Sequence, residues 1–250
     1  MRPAAILFLA AAVLVGGCGG GRAGGTARVQ ATKKQGCAPG SYRRLGSRTR
    51  ALAAVVRSRA TVLRRPGGPV VSRFARLNVN RVPTVFSILG ARVDRACRPV
   101  LYRVQVPLRP NGTTGWVSPA AVTVASVSTR IEVDVSRRRL TLYRNGREVL
   151  HSPVAVGSSA TPTPIGRYYV NQRLVPRDPS GAYGPGAVGI SAFSNVLTGW
   201  TQGGPIAIHG TNARWSIGRA VSNGCIRLPN PIVRRVFAAA LAGTPVVIHP

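Results

Sequence analysis

The apolar run Ile206-Ala207-Ile208 ends in His209 and is followed by Gly210-Thr211-Asn212. Sixteen residues beyond the histidine, Ser222-Asn223-Gly224 leads into Cys225-Ile226-Arg227-Leu228. A strand that ends in a histidine aims one imidazole at a fixed place. A glycine ahead of a cysteine leaves backbone N–H groups free to converge beside the sulfur. Thiol, base and oxyanion donors are the minimum equipment for nucleophilic acyl chemistry. A lone cysteine is more often an inert buried thiol; the histidine and the surrounding glycines favour catalysis here. Cys225 is then the nucleophile, His209 its base, and the backbone N–H groups of Asn223, Gly224 and Cys225 the oxyanion hole, each donor mattering by about 3 kcal/mol. Arg214, Arg219 and Arg227 add a positive field. Together these features predict a Cys225 that ionises below the free-cysteine value of about 8.5.

Several elements must hold that constellation in place. Ile131 to Val135, Leu140 to Tyr143 and Glu148 to Val156 read as a β-meander turning at Arg144-Asn145-Gly146. The Pro/Gly loop 157–166 leads into a strand, and the Gly/Pro-rich stretch 176–205, with Tyr183, Phe193 and Trp200, reads as a lid or binding wall. Asn230 is expected to cap a helix with Pro231 at its first position and an apolar face of Ile232, Val233, Val236, Phe237, Ala240 and Leu241. Gly243 and Pro245 stop it before a closing strand, Val246 to Ile248. Upstream, short β-rich runs fill 60–124, the clearest being Leu101 to Val106, the turn Pro110-Asn111-Gly112, and Gly115-Trp116-Val117 returning. Leu52, Val55 and Val56 fall at helical spacing within Ser47 to Arg59.

Composition excludes other chemistries. The 250 residues hold 35 Lys+Arg against 5 Asp+Glu, a formal net charge of +30. Five scattered acids leave no multi-carboxylate metal site and few glycosidase pairs, and three histidines with four cysteines in no C-x-x-C or H-E-x-x-H pattern leave no zinc site. The reading is therefore metal-free and cofactor-free. Glu132, Glu148 and Asp134 are assigned to surface pairing and turn initiation, and His151 and His249 to structural positions.

Residues 1–17 read as a signal peptide: basic Arg2, an apolar run from Ala4 to Val15, then Gly16-Gly17. Leu14-Val15-Gly16-Gly17-Cys18 resembles a bacterial lipobox, which implies lipid attachment at Cys18; a plain secretory signal is the alternative. Residues 18–46 read as a flexible basic tether. In an oxidising compartment Cys37 and Cys97 can pair, closing a loop of about 60 residues.

The stretch 60–125, with its Gly115-Trp116-Val117 element, resembles the bacterial SH3-like domains that accompany cell-wall enzymes. At His209-Gly210-Thr211-Asn212, Ser216-Ile217-Gly218 and Ser222-x-Gly224-Cys225-Ile226-Arg227-Leu228, residues 129–250 resemble the L,D-transpeptidase catalytic domain, the YkuD family; the loop Thr161-Pro162-Thr163-Pro164-Ile165-Gly166 belongs to the likeness. The resemblance implies a mainly β catalytic fold acting in cell-wall biogenesis and cell shape. In it the cysteine attacks a peptidoglycan stem peptide between a diamino acid and D-alanine, and a second stem accepts the acyl group to give a 3-3 crosslink. It implies acylation by carbapenem-type β-lactams and an Arg227 that shapes the site or meets a substrate carboxylate; Ser222 and, from the lid reading, Trp200 and Tyr183 are also expected to bind substrate. Many members carry histidine where this chain has Asn223, and some place serine where it has Gly210, which leaves open what orients His209.

The expected partners are stem peptides together with anionic wall polymers or membrane lipids; the protein is expected to be a monomer that binds no nucleic acid. Its place is the outer face of the cytoplasmic membrane, or the wall or periplasm. An L,D-carboxypeptidase using water as acceptor, or a wall-binding lipoprotein without activity, are the alternatives. With all reacting groups in 129–250, that piece is expected to acylate without the upstream module.

Overall fold

The computed structural model describes residues 36–250; the expected signal peptide, Cys18 and the segment up to Gln35 read as a tether lie outside the described residues. Eight strands make the first sheet: β1 (Tyr42–Arg44), β2 (Ala51–Val56), β3 (Arg59–Leu63), β4 (Val70–Ala75), β5 (Val85–Val93), β6 (Pro99–Gln105), β7 (Thr114–Val117) and β8 (Val122–Val127). They lie in the order β4-β3-β7-β6-β5-β2-β8, with β1 also on β5.

Two expectations change here. The segment read as helical is β2, whose Leu52 pairs with Ile88 on one side and Ser126 on the other. Val55 and Val56 are β-branched and the strand is central in the sheet, so pairing on both edges overrides a short helical spacing. The tether expected to reach residue 46 is ordered before that. Cys37 is disulfide-bonded to Cys97, and Tyr42–Arg44 pairs with Gly90–Arg92.

The second group comprises β9 (Thr129–Asp134), β10 (Arg139–Arg144), β11 (Arg147–Pro153), β12 (Val156–Gly157), β13 (Gly166–Leu174), β14 (Ala187–Phe193), β15 (Pro205–His209), β16 (Ala220–Ser222), β17 (Ile226–Arg227), helix α1 (Asn230–Ala239) and β18 (Pro245–His249). The main sheet runs β11-β10-β9-β18-β13-β14-β15-β17, and β12 pairs separately with β16. Alternation explains β9: Ile131 and Val133 are fully buried, while Arg130, Glu132 and Asp134 are partly exposed. Asn145 and Gly146 take positive φ (52° and 81°), the two-residue turn a tight hairpin requires. The 176–205 stretch is not one loop, because β14 runs through it with Ala187 to Ala192 buried. Small residues let that strand be covered on both faces, which its glycine content disguises in the sequence. Tyr183 and Trp200 therefore stand on two different loops flanking β14.

The sheets are not independent bodies. Buried Tyr169 of β13 donates its hydroxyl to the Val85 carbonyl of β5 at 3.1 Å, and Gln105 Nε2 donates to the Arg167 carbonyl at 2.9 Å. Asn111 clasps Phe193 in both directions, and Arg109 donates to the carbonyls of Ser194 and Gly203. A cavity of about 640 Å³ opens along this seam, lined in part by Phe74, Leu77, Leu108 and Phe193.

Candidate active site

Strand β17 lies parallel to β15, with Ile208 beside Ile226 and His209 beside Arg227. Ile206, Ile208, Ile226 and Leu228 are buried in the core of the second sheet. With a period of two, their neighbours Ala207, His209, Cys225 and Arg227 must all point to the opposite face. Cys225 lies one step before Ile226, so it stands diagonally from His209, a separation that an aromatic side chain can span. The sequence distance of sixteen residues closes to adjacent strands because the single turn Arg214–Ser216 and β16 return the chain to the same sheet edge.

The imidazole of His209 is buried, and its Nδ1 lies 2.5 Å from the Gly210 carbonyl oxygen. A carbonyl only accepts, so Nδ1 carries the proton and Nε2 is the free basic nitrogen. This backbone carbonyl orients the imidazole. Tyr183 covers it from the side, the two rings 4.8 Å apart and tilted by 55°.

Electrostatics depart from the expectation of an ionised thiol. Burial lowers His209 to about 4, the Gly210 acceptor opposing and the Arg227 guanidinium reinforcing the shift. Burial also pushes the Cys225 thiol up from its ordinary value, although the Ala207 N–H and Arg227 pull the other way. Arg227 is thus near enough to both groups to favour a thiolate and to disfavour an imidazolium. Desolvation outweighs its field, so the resting site holds a neutral thiol and a neutral imidazole. Cys225 nevertheless remains partly accessible, and it is the one free cysteine among the described residues.

The cysteine loop is built from polar contacts that the sequence reading assigned differently. Ser222, expected to meet substrate, is buried; its hydroxyl donates to the Cys225 carbonyl at 2.6 Å and accepts the Gly224 N–H at 3.2 Å. That bond removes Gly224 from the expected oxyanion donors. No internal acceptor is found among the described residues for the N–H groups of Asn223 and Cys225, which leaves those two. Gly224 has φ +103°, a conformation that disfavours any side chain.

The loop 161–166 supplies the missing supports: Thr163 donates to the Gly224 carbonyl at 2.9 Å while accepting the Gly157 N–H, and Thr161 donates to the Ser222 carbonyl at 3.0 Å. Alternating Thr-Pro was the signal for them, since proline stiffens a loop whose threonines face inward. Trp200 is half exposed beside the turn Thr201–Gly203, whose Gln202 bonds Asn80 of the first sheet. Glu148 pairs with His151, and Asp134 accepts from Ser136 and Arg137 at its turn, so these acids hold surface structure. Among the described residues no cluster of metal-ligating side chains exists.

Residues 128–248 match the family model described as YkuD, the L,D-transpeptidase catalytic domain. YkuD of Bacillus subtilis, named as an L,D-transpeptidase, is 38% identical over 119 residues, covering 48% of this chain and 65% of that protein. Its namesake in Bacillus licheniformis is 39% identical over 122 residues, covering 48% and 66%. The chain thus spans just under two thirds of the length of these curated relatives. Among solved structures, an Enterococcus faecium L,D-transpeptidase mutant is 25% identical over 48% of this chain and 49% of its own, with TM-score 0.39. A Mycobacterium smegmatis L,D-transpeptidase is 15% identical over 79% and 99%, with TM-score 0.41. Residues 128–248, which contain Cys225 and His209 on one face of the β15–β17 edge, are thus similar to the L,D-transpeptidase catalytic domain of the YkuD family.

Proposed function

We propose that this protein is a cysteine-dependent L,D-transpeptidase that forms 3-3 crosslinks between peptidoglycan stem peptides. The observation that carries the reading is the tethered imidazole: the Gly210 carbonyl holds Nδ1–H and leaves Nε2 as the basic nitrogen of a residue that strand periodicity puts on the same sheet face as Cys225. Nε2 takes the thiol proton as Sγ bonds to the donor carbonyl carbon, and the Asn223 and Cys225 N–H groups receive the oxyanion. When the C–N bond breaks, His209 returns that proton to the departing D-alanine amine. The side-chain amine of a second stem then attacks the thioester, loses a proton to His209, and forms the new C–N bond as the C–S bond breaks and the thiol is reprotonated. Arg227, on the same face, is placed to meet a substrate carboxylate.

The first sheet is proposed as the SH3-like element that holds the enzyme on acidic wall polymers, and Cys18 as its lipid anchor on the outer face of the membrane. Both follow from the sequence likenesses and from the basic composition. Intact-mass measurement on protein incubated with a tetrapeptide stem and an acceptor stem tests the central claim. The expected result is a covalent adduct on Cys225, release of D-alanine and a crosslinked product. D-alanine release without crosslinking assigns water as the acceptor, and an unmodified Cys225 with both stems and a carbapenem rejects catalysis. Membrane partitioning that persists in Cys18→Ser rejects the anchor.

A further inference from the structure

Asn230 begins helix α1, yet its side chain makes no cap hydrogen bond and the N-cap position is Pro229. Its Oδ1 instead accepts the Thr211 N–H at 2.8 Å. The same oxygen presses on two glycines: a Cβ on Gly210 would stand 2.4 Å from it, and one on Gly184 2.5 Å. Gly210 is further closed in by Pro185 Cδ, 2.9 Å from such a Cβ. Three separate segments therefore meet at one carboxamide: the loop bearing Tyr183, the turn after β15, and the start of α1. The Thr211 N–H and the Gly210 carbonyl belong to a single planar peptide unit. Asn230 holds that plane by its N–H, and the plane holds His209 by its C=O.

We propose that Asn230 is a positioning residue for His209, locking the 210–211 peptide so that its carbonyl fixes the imidazole as the Nδ1–H tautomer. An acceptor on the N–H side also polarises the carbonyl, strengthening its hold on the ring. The inference rests on His209 being the base. Tyr183 and Arg227 lie beside the imidazole, and Arg214 lines with Asn230 and Thr211 a cavity of about 360 Å³. None is a carboxylate, so a negative charge placed at position 230 is felt by the ring with only Arg214 beside it to oppose.

The test compares full-length wild type with Asn230→Ala and Asn230→Asp, following the His209 imidazole nitrogens by NMR across pH and Cys225 acylation by a carbapenem. Asn230→Ala is expected to give mixed tautomers and acylation slower by about tenfold or more, as a displaced base would. Asn230→Asp keeps an acceptor for Thr211; it is expected to retain the Nδ1–H tautomer, acylate within about threefold of wild type, and titrate its imidazole about one unit higher. A folded Asn230→Ala protein with the wild-type tautomer overturns the proposal, whatever its acylation rate. Should Asn230→Ala fail to fold, an unchanged imidazole midpoint in Asn230→Asp overturns it. A wild-type enzyme that no carbapenem acylates rejects the proposed function alone, and the imidazole signals still decide the role of Asn230.

Discussion

The pH dependence of Cys225 alkylation separates two ways of making a thiol attack. A preformed thiolate–imidazolium pair needs the thiol to be the stronger acid, whereas here burial raises the thiol and lowers the imidazole to about 4, so both shifts oppose the pair. The lowering of His209 alone, from 6.5 to about 4, disfavours the imidazolium by roughly 3 kcal/mol. On the proposed mechanism His209 then takes the proton in step with attack rather than in advance of it. Iodoacetamide, which takes only thiolate, should alkylate Cys225 at a rate rising roughly tenfold per pH unit through neutrality and levelling only above the free-cysteine range of about 8.5. Peptide mapping by mass spectrometry isolates the Cys225 signal. A plateau reached below neutrality, abolished by His209→Gln, would refute the reasoning and restore the ion pair.

The same burial links His209 to stability. A folded value of about 4 against about 6.5 unfolded means that the unfolded chain binds the extra proton, so stability is full above about pH 6.5 and falls by about 3 kcal/mol as pH drops toward 4. Urea unfolding at both ends of that window should show the loss in wild type and not in His209→Gln. Gly210→Ala drives a methyl into Asn230 and Pro185; it should cost about 1–3 kcal/mol in chemical denaturation and slow acylation sharply. Residues 128–250 alone lose the Val85 acceptor of Tyr169 and the cover on the β13–β14 surface, so the truncated domain should aggregate or acylate more slowly than the full chain. Equal acylation by a soluble truncation would show that the seam is not needed.

The placing of Cys225 and His209 together was legible because it follows from strand periodicity alone. Once Ile206, Ile208, Ile226 and Leu228 are recognised as core, Cys225 and His209 have only the other face to occupy. The turns were equally readable, since Asn145-Gly146 admits few backbone conformations. What escaped were effects that depend on neighbours distant in sequence. Leu52, Val55 and Val56 carry a spacing compatible with a helix, and only strands β5 and β8 on either side decide for extension. The field of three arginines pointed to an acidic thiol, while the burial that reverses the sign is a property of the packed site.

Asn230 shows the same division at the scale of one side chain. Asparagine ahead of proline at a helix start is a good cap in sequence, because its oxygen can accept an N–H of the first turn. In the folded chain Ile232 and Val233 already find the Pro229 carbonyl, while the Thr211 N–H is next to the base and needs an acceptor. The oxygen goes to the partner that local sequence does not supply. Gly210 follows from that choice: with the carboxamide against its Cα there is no room for a side chain, and the histidine must be held by backbone. A serine at that position could reach the substrate or the base only if position 230 withdrew. The two sites are therefore coupled, and a Gly210→Ser change should be tolerated better in combination with Asn230→Gly than alone, the paired stabilities departing from additivity by about 0.5–3 kcal/mol. Strict additivity of the two changes in urea denaturation would show that the close contact relaxes freely.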